Sequence, residues 1–311
     1  MMKTRRIGTA VCLMAALGLG LMMMPCSAEQ EGKKIQVAAT LGMVADLVKS
    51  VGGDRVVVDQ LMGPGVDPHL YKPTSSDSIR LGKADVIFYS GLMLEGRMGD
   101  LFAKMARGDK KVYPITESVP ENLLLEPEEF EGHYDPHLWL DVSLWAATIP
   151  TIVKGLSDVD PAGTSVYEQN GATLTKKMEA LHTWCQQKAA ELPENKRILI
   201  TSHDAFNYFG RAYGFKVVAL QGVSTVSEAG LSDIASLVDF IKKQEVKAIF
   251  VETSVNPAAI QRVAKDAGVS IGGELFSDAM GHPGQMHEGF DTGTYEGMVR
   301  YNLNTIVNAL K

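Results

Sequence analysis

Short apolar segments rich in β-branched residues alternate along this chain with segments of helical spacing. Eight such segments occur, at 35–40, 55–61, 84–90, 110–115, 197–202, 216–220, 246–252 and 269–276. They are apolar throughout, which is typical of parallel strands buried on both faces. Helices between parallel strands form βαβ units. The sequence therefore predicts an α/β protein with two lobes, each with a parallel four-stranded sheet flanked by helices.

The segment between the two sets of strands has the pattern of one long helix. Its apolar side chains fall largely on one helical stripe: Val166, Leu174, Met178, Leu181, Cys185 and Leu192. Pro161 suits the start of such a helix and Pro193 its end, and a helix over 164–193 would span roughly 40 Å. Gly171 weakens the pattern, so two shorter helices broken near it remain the alternative.

The first 28 residues have the layout of a secretory signal peptide. The basic segment "MMKTRR" precedes the uncharged apolar segment "IGTAVCLMAALGLGLMMMP", and small residues occupy positions 26 and 28. We expect cleavage after Ala28 and export to the periplasm or the outer face of the cytoplasmic membrane. An uncleaved anchor is one alternative, because the apolar segment is of borderline length for a membrane span. Acylation of Cys26 is another, although Met23-Met24-Pro25 matches the usual lipobox poorly.

These features predict a signal peptide at 1–28, a first lobe at 29–160, a linker helix at 161–193 and a second lobe at 194–311. Removing residues 1–28 takes away three basic residues and changes the formal net charge from −7 to −10. An acidic chain of this kind disfavours nucleic acid as a partner. Only Cys185 remains in the mature chain, which excludes an intramolecular disulfide. We expect Cys185 to be a small apolar helix residue and not a nucleophile.

Three of the seven histidines and one aspartate follow the ends of predicted strands. His69 and His137 lie in loops of the first lobe, while His203 and Asp278 follow strands of the second. In open parallel sheets, ligands bind beyond the carboxyl ends of the strands. Two ligands from each lobe can thus close on one site. Three imidazoles and a carboxylate suit a divalent transition metal, namely Zn²⁺, Fe²⁺ or Mn²⁺.

The same short motif delivers both histidines of the first lobe, in "VDPHLY" and "YDPHLW". Proline stiffens the approach to the histidine. Asp67 and Asp135 are candidates to accept a hydrogen bond from the loop or from the imidazole, and such bonds orient a metal-binding histidine. We interpret Tyr71 and Trp139 as packing residues behind the loops.

Two further acids and four further histidines are weaker candidates. Glu252 and Asp204 are candidate hydrogen-bond partners for the ligands, and a direct ligand role for Glu252 stays open. Pro136 disfavours a helical metal pair with His133, so we expect His133 to be solvated.

Like His133, the three remaining histidines are placed outside the proposed site. His182 lies on the linker helix, where we expect a surface position or a contact between the lobes. His282 and His287 follow Asp278 closely and are expected to be exposed, although either competes as a ligand.

Five segments together resemble the TroA-like metal-receptor family, cluster A-I solute-binding proteins of ABC importers for Zn²⁺ and Mn²⁺. The segments are "MGPGVDPHLYKPTSSD", "DPHLWLDV", "TSHDAFNYFGRAYGF", "LQGVSTVSEA" and "GGELFSDAMG". The resemblance covers nearly all of the mature chain. It implies two α/β lobes joined by one long helix, metal ligands at His69, His137, His203 and Asp278, and delivery of the ion to a membrane permease with its ATPase.

The resemblance leaves the metal open between Zn²⁺ and Mn²⁺. Some manganese-preferring relatives have glutamate at the position of His203. Many zinc-preferring relatives carry a long His-rich loop before the second histidine, whereas "ESVPENLLLEPEEFEGHYDPH" here is acidic with only His133 before the ligand. We predict a monomeric exported receptor without enzymatic activity. The alternatives are a zinc hydrolase with Glu252 or Asp204 as base, and an adhesin that uses metal only structurally.

Overall fold

The structure, a computed structural model, describes residues 33–311. The signal peptide and the acylation option at Cys26 lie outside the described residues. The strands of the first lobe form one parallel sheet in the order β2-β1-β3-β4. They are β1 (Ile35–Ala39), β2 (Val56–Gln60), β3 (Val86–Tyr89) and β4 (Lys111–Pro114). The helices of this lobe are α1 (Gly42–Gly52), α2 (Ser75–Lys83), α3 (Gly99–Arg107), α4 (Val142–Ala146) and α5 (Ile149–Val159).

The second lobe has four parallel strands as well, arranged as two hydrogen-bonded pairs. The pairs are β5 (Ile198–Thr201) with β6 (Lys216–Ala219), and β7 (Ala248–Glu252) with β8 (Ser270–Leu275). β5 and β7 lie against each other, but no continuous four-stranded ladder is assigned in this part of the described chain. All eight predicted strands are thus confirmed, while the expected single sheet of the second lobe is resolved into two pairs.

Helices and one small hairpin complete the second lobe. They are α7 (Asn207–Tyr213), α8 (Leu231–Gln244), α9 (Ala258–Ala267), α10 (Tyr295–Leu310), and a two-stranded hairpin of β9 (Met286–His287) and β10 (Phe290–Asp291). Gly214 and Gly268 end α7 and α9 in the left-handed conformation, with φ of 74° each. A left-handed glycine reverses the chain after a helix, so both helices return directly to the next strand.

One uninterrupted helix, α6 (Thr164–Ala189), joins the lobes over 26 residues. The alternative of two helices broken near Gly171 is therefore wrong. α6 packs against α1, α4 and α5 of the first lobe and against α7 and α10 of the second. The predicted apolar stripe holds except at Val166, which is 40% exposed, while Tyr167 is fully buried. Cys185 is buried on this helix as predicted, and its burial raises the pKa of the thiol to about 12.

Gly171 is buried where α6 crosses α5 and has a packing role. A Cβ atom at this position would lie 2.8 Å from Val153 Cγ2. We expect Gly171→Leu to lower the free energy of unfolding by about 1–3 kcal/mol, because the larger side chain overpacks this crossing. Ala172→Leu, at the exposed neighbouring position, is the matched control. Denaturant unfolding of both variants measures the difference. If Gly171→Leu is as stable as Ala172→Leu, the crossing of α5 and α6 accommodates the larger side chain and Gly171 has no packing role.

A continuous hydrophobic core contains residues from both lobes, and a second cluster lies within the second lobe. Trp139 is fully buried and connects the lobes, because its Nε1 donates to the carbonyl of Ser277 at 2.7 Å. Tyr295 donates to the carbonyl of Trp139 at 2.6 Å.

The predicted domain boundaries remain a prediction. None of the helices between residues 33 and 311 is long and apolar enough to cross a membrane.

Candidate metal centre

Four side chains from four different loops meet at the carboxyl ends of the strands. His69 follows β2, His137 follows β4, His203 lies two residues after β5, and Asp278 lies three residues after β8. All four are buried, and His69 is the most exposed of them at 8%. One candidate ligand atom from each lies within 4.8 Å of every other. The structure thus brings together the four residues that the sequence singles out.

The distances between these atoms suit a single four-coordinate ion. His69 Nε2 lies 3.3 Å from His137 Nε2. Asp278 places one oxygen 3.4 Å from His137 Nε2 and the other 3.2 Å from His203 Nε2 and 3.9 Å from His69 Nε2. Ligands held at about 2.1 Å in a tetrahedron lie about 3.4 Å from one another. Several separations in the cluster are therefore close to those between the ligands of a single ion.

Polar atoms at the centre of this cluster lack hydrogen-bond partners. Among the described residues, His203 Nε2 and both carboxylate oxygens of Asp278 are buried without a partner of acceptable geometry. The 3.2 Å approach between them is therefore a charge contact. Buried polar atoms are nearly always satisfied, and unpaired ones are costly. A bound cation would satisfy all three atoms at once.

Two buried carboxylates orient the two most deeply enclosed imidazoles. Asp135 Oδ1 accepts from His137 Nδ1 at 2.7 Å and from its backbone N–H at 2.9 Å. Glu252 Oε2 accepts from His203 Nδ1 at 2.5 Å. A hydrogen bond at Nδ1 leaves Nε2 free for a metal. The predicted hydrogen bonds from Asp135 and Glu252 to the histidines are thus confirmed. Glu252 is not itself a member of the four-residue cluster.

The same carboxylate of Glu252 also fixes the backbone that carries His203. Its Oε1 accepts from the N–H groups of Ser202 at 2.7 Å and His203 at 2.9 Å. Asp67, in contrast, bonds to the backbone N–H of His69 at 2.8 Å. Asp204 accepts from Asn207 at 2.8 Å and is not a member of the metal-sized cluster. The two Asp-Pro-His motifs therefore use their aspartates differently toward the ring.

The electrostatics of the cluster follow from burial and from its carboxylates. Burial lowers the pKa of His69 to about 3. Burial also disfavours the charged form of His203, but the carboxylates of Glu252 and Asp278 outweigh it and hold the pKa of His203 well above its usual value. Burial would raise the pKa of Asp278, yet the neighbouring imidazoles, His203 above all, lower it. The site therefore presents an anionic carboxylate to any ion that arrives.

The remaining histidines lie outside the cluster. His133 and His282 are exposed, as predicted, whereas His287 is half-buried beside Phe276. His182 lies between Asp141 of the first lobe and Tyr213 of the second, at 3.8 and 3.4 Å. This confirms the predicted contact between the lobes.

The two aromatic residues of the repeated motif have packing roles. The ring of Trp139 packs edge-on to His137 with centroids 5.3 Å apart. Tyr71 is half-buried and donates to Asp77 at 2.8 Å. Both were predicted to pack behind the loops, and neither offers an atom to the cluster.

Sequence reasoning missed two polar residues that contact the motif aspartates across the lobes. Asn207 donates to Asp135 Oδ2 at 3.2 Å, and Thr225 donates to Asp67 Oδ2 at 2.6 Å. Asn207 lies four residues after His203, inside the segment "TSHDAFNYFGRAYGF" that carries the family resemblance. Thr225 lies inside "LQGVSTVSEA", which also carries that resemblance, but nothing in the segment distinguished this hydroxyl from its neighbours.

Comparison with known proteins gives consistent matches along the chain. The family model described as ZnuA, zinc-uptake complex component A, periplasmic, matches residues 37–309. The manganese-binding lipoprotein MntA of Bacillus subtilis (strain 168) is 42% identical over 295 residues, which cover 92% of this chain and 94% of the relative. The zinc-binding protein TroA of Treponema pallidum (strain Nichols) is 44% identical over 288 residues, which cover 91% of each.

The fold is also similar to solved structures. The periplasmic zinc-binding protein TroA from Treponema pallidum superposes with a TM-score of 0.84 at 42% identity, covering 89% of this chain and 99% of that one. A Mn-bound periplasmic metal-binding protein from candidatus liberibacter asiaticus, an S38A mutant, gives a TM-score of 0.78 at 25% identity, with 89% and 100% coverage. The two-lobed arrangement with one long helix is thus common to these proteins.

Proposed function

The chain belongs to the ZnuA family of periplasmic zinc-uptake components, and we propose from this premise that His69, His137, His203 and Asp278 bind its transported ion. The protein is an extracytoplasmic metal-binding component of an ABC importer. The observation that carries the ligand proposal is the buried cluster itself. Three imidazole Nε2 atoms and one carboxylate converge there, and the atoms of His203 and Asp278 lack hydrogen-bond partners.

The proposed cargo is one Zn²⁺ or Mn²⁺ ion per chain. Relatives of similar identity carry names for either metal, manganese for MntA and zinc for TroA. Three imidazoles bind Zn²⁺ more tightly than Mn²⁺ or Fe²⁺ in the general affinity order. Affinity measured in vitro therefore favours Zn²⁺ whatever the cell supplies. Elemental analysis of protein purified from its native compartment identifies the physiological ion.

The proposed partners are a membrane permease and its ATPase, to which a monomeric receptor delivers the ion. Relatives are named metal ABC transporter substrate-binding lipoproteins, for example SloC of Streptococcus mutans. We propose export to the periplasm or to the outer face of the cytoplasmic membrane, with a lipid anchor at Cys26 as the second form. The mass of the mature protein distinguishes cleavage after Ala28 from an acylated chain that begins at Cys26.

We propose that the protein transports without catalysing a reaction. A catalytic zinc keeps an open coordination position and has a base nearby. Here four protein ligands surround the site, and Glu252, the first candidate base, is occupied by His203 and two backbone N–H groups. Hydrolysis by the metal-loaded protein that is abolished in Glu252→Ala would favour the hydrolase instead. The adhesin alternative is not favoured, because the relatives SsaB of Streptococcus sanguinis and FimA of Streptococcus parasanguinis are both named metal ABC transporter substrate-binding lipoproteins.

Release of the ion is proposed to follow movement of the second-lobe loops that carry His203 and Asp278. The long helix α6 packs against both lobes, so a wide hinge motion would have to disrupt that packing. Structures of the metal-free and metal-loaded protein test this mechanism. Lobes that swing apart as two rigid halves about α6 would contradict it, whereas local displacement of the two loops would support it.

Binding of the ion is expected to weaken as the pH falls. Burial disfavours protonated His203, but Glu252 and Asp278 hold its pKa well above the usual value, which favours a second ring proton, on Nε2, in the metal-free protein. The ion must displace this proton, and the apparent affinity should fall about tenfold per pH unit where one proton is exchanged. Calorimetric titration with Zn²⁺ in buffers of different ionisation enthalpy counts the protons. Zn²⁺ binding without the release of any proton would contradict this expectation.

The transport role is tested by metal uptake in cells. A strain that lacks this protein should lose high-affinity uptake of the physiological ion, and the wild-type chain should restore it. The Asp278→Ala variant should not restore uptake although it is exported and folded. The same uptake should vanish in a strain without the permease. Uptake that persists without the receptor or without its ligand Asp278 would contradict the proposed function.

A further inference from the structure

Each of the two Asp-Pro-His motifs has an aspartate that bridges between its histidine and the other lobe. In the second motif, Asp135 Oδ1 holds His137, while Oδ2 accepts from the amide of Asn207 at 3.2 Å. In the first motif, Asp67 Oδ1 holds the backbone N–H of His69, while Oδ2 accepts from the hydroxyl of Thr225 at 2.6 Å. Both aspartates therefore place one oxygen on their own histidine residue and the other on the second lobe, although only Asp135 bonds to the imidazole ring.

Asn207 and Thr225 come from different parts of the second lobe. Asn207 is the first residue of α7, and only three residues of chain separate it from His203. Tyr208, next to it, donates to the carbonyl of Asp135 at 2.9 Å and accepts from the N–H of Leu125 at 3.0 Å. The start of α7 is thus bonded to the second histidine loop at several points.

Thr225 belongs to the segment 221–230, which lies between β6 and α8 and has no helix or strand. The side chain is nevertheless buried, with 8% exposure, while the adjacent Val226 is 60% exposed. A segment without secondary structure is placed by its side-chain contacts. Its hydrogen bond to Asp67 therefore ties this loop of the second lobe to the first histidine loop.

We propose that Asn207 and Thr225 are positioning residues that latch the two histidine loops of the first lobe to the second lobe and so slow the loss of the bound ion. This inference rests on the proposed function. His69 and His137 belong to one lobe and His203 and Asp278 to the other, so an ion leaves when these pairs separate. The N–H of Gln221 donates to the carbonyl of Ser202 at 2.9 Å, which joins the Thr225 segment to the His203 loop. Asn207 follows the same loop in the chain, so displacement of the His203 loop pulls on both latches. Hydrogen bonds to a carboxylate are among the stronger ones, which makes each latch a substantial barrier.

The test is the rate at which Zn²⁺ leaves the full mature chain when a chelator is added in excess. Thr225→Val keeps the shape of the side chain but removes the hydroxyl, and Asn207→Leu does the same for the amide. We expect each variant to release Zn²⁺ about 10- to 150-fold faster, because a hydrogen bond to a charged group contributes about 1.5–3 kcal/mol. The association rate should change less than about twofold, since the ligands themselves are retained.

Two controls separate a latch from a general structural effect. Thr225→Ser retains the hydroxyl and should release Zn²⁺ at the wild-type rate. Thr173→Val removes an exposed hydroxyl of α6 that bonds only to the carbonyl of Gln169 in its own helix, and it should also behave as wild type. Asn207→Leu additionally removes the bond to Asp204, so Thr225→Val is the decisive variant.

The outcomes distinguish this inference from the function on which it rests. Wild-type release from a folded Thr225→Val variant would overturn the latch while leaving the transport role intact. A slower association with unchanged release would also overturn it, because the residue would then act on the open form. Failure of the wild-type chain to bind one Zn²⁺ would instead refute the proposed function itself.

Discussion

Replacing His203 with alanine is expected to weaken Zn²⁺ binding by about 10²–10³-fold. Four-ligand protein sites bind Zn²⁺ with about 10–16 kcal/mol, so one ligand corresponds to roughly 3 kcal/mol, or two to three powers of ten. His203 is completely buried, which leaves little room for water to take its place. Isothermal titration, or competition with a chelator of known affinity, measures the loss. Asp278→Ala should have a similar effect, because it also removes the negative charge of the site.

The other ligands provide a graded comparison. His137 is as deeply buried as His203, and its alanine variant should lose a similar factor. His69 is the most exposed of the four proposed ligands, so water can replace its imidazole more easily and His69→Ala should lose less affinity. His133→Ala is the matched control, since His133 lies four residues from His137 but is exposed. Equal losses at His133 and His203 would contradict the ligand assignment.

Replacing Glu252 with glutamine is expected to weaken Zn²⁺ binding about 10- to 100-fold although Glu252 does not touch the ion. The two backbone N–H groups of Ser202 and His203 both require the oxygen of the new amide. Its NH₂ group then faces His203 Nδ1, which must become an acceptor. The ring proton moves to Nε2 in that tautomer, and Nε2 can no longer bind a metal.

Glu252→Ala should additionally destabilise the metal-free protein by about 3 kcal/mol. It leaves a buried imidazole and two buried N–H groups without their acceptor, and breaking a buried charge pair has a cost of this size. Denaturant unfolding in the presence of a chelator measures the stability apart from metal binding. Glu274→Gln, at an exposed position of β8, is the control and should change neither quantity. Unchanged affinity and stability in both Glu252 variants would show that the carboxylate does not position His203.

The strands and the four clustered residues were predictable because both depend on local patterns. A strand buried on both faces is nearly continuously apolar, as in "VIFY" and "AIFV", and β3 and β7 lie there. Parallel strands end at a common edge, so side chains that follow four of them converge even when they are far apart in sequence. His69 and Asp278 are separated by more than two hundred residues, yet His69 Nε2 lies 3.9 Å from Asp278 Oδ2.

What sequence reasoning missed depends on contacts between distant segments. The helix α6 continues through Gly171 because packing against Val153 uses the absence of a side chain there, and helix propensity alone indicated a weak point. The second-lobe strands form two hydrogen-bonded pairs, and apolar segments alone do not indicate which strands pair. Thr225 is a single hydroxyl in a polar loop, and its role follows only from its 2.6 Å bond to Asp67.

Anomalous scattering from crystals of the Zn²⁺-loaded protein, recorded on both sides of the zinc absorption edge, tests the central claim most directly. We predict one zinc peak per chain, at about 2.0–2.2 Å from Nε2 of His69, His137 and His203 and from a carboxylate oxygen of Asp278. Glu252 should remain bonded to His203 Nδ1. A peak at His282 or His287, or an ion bound directly by Glu252, would contradict the proposed site.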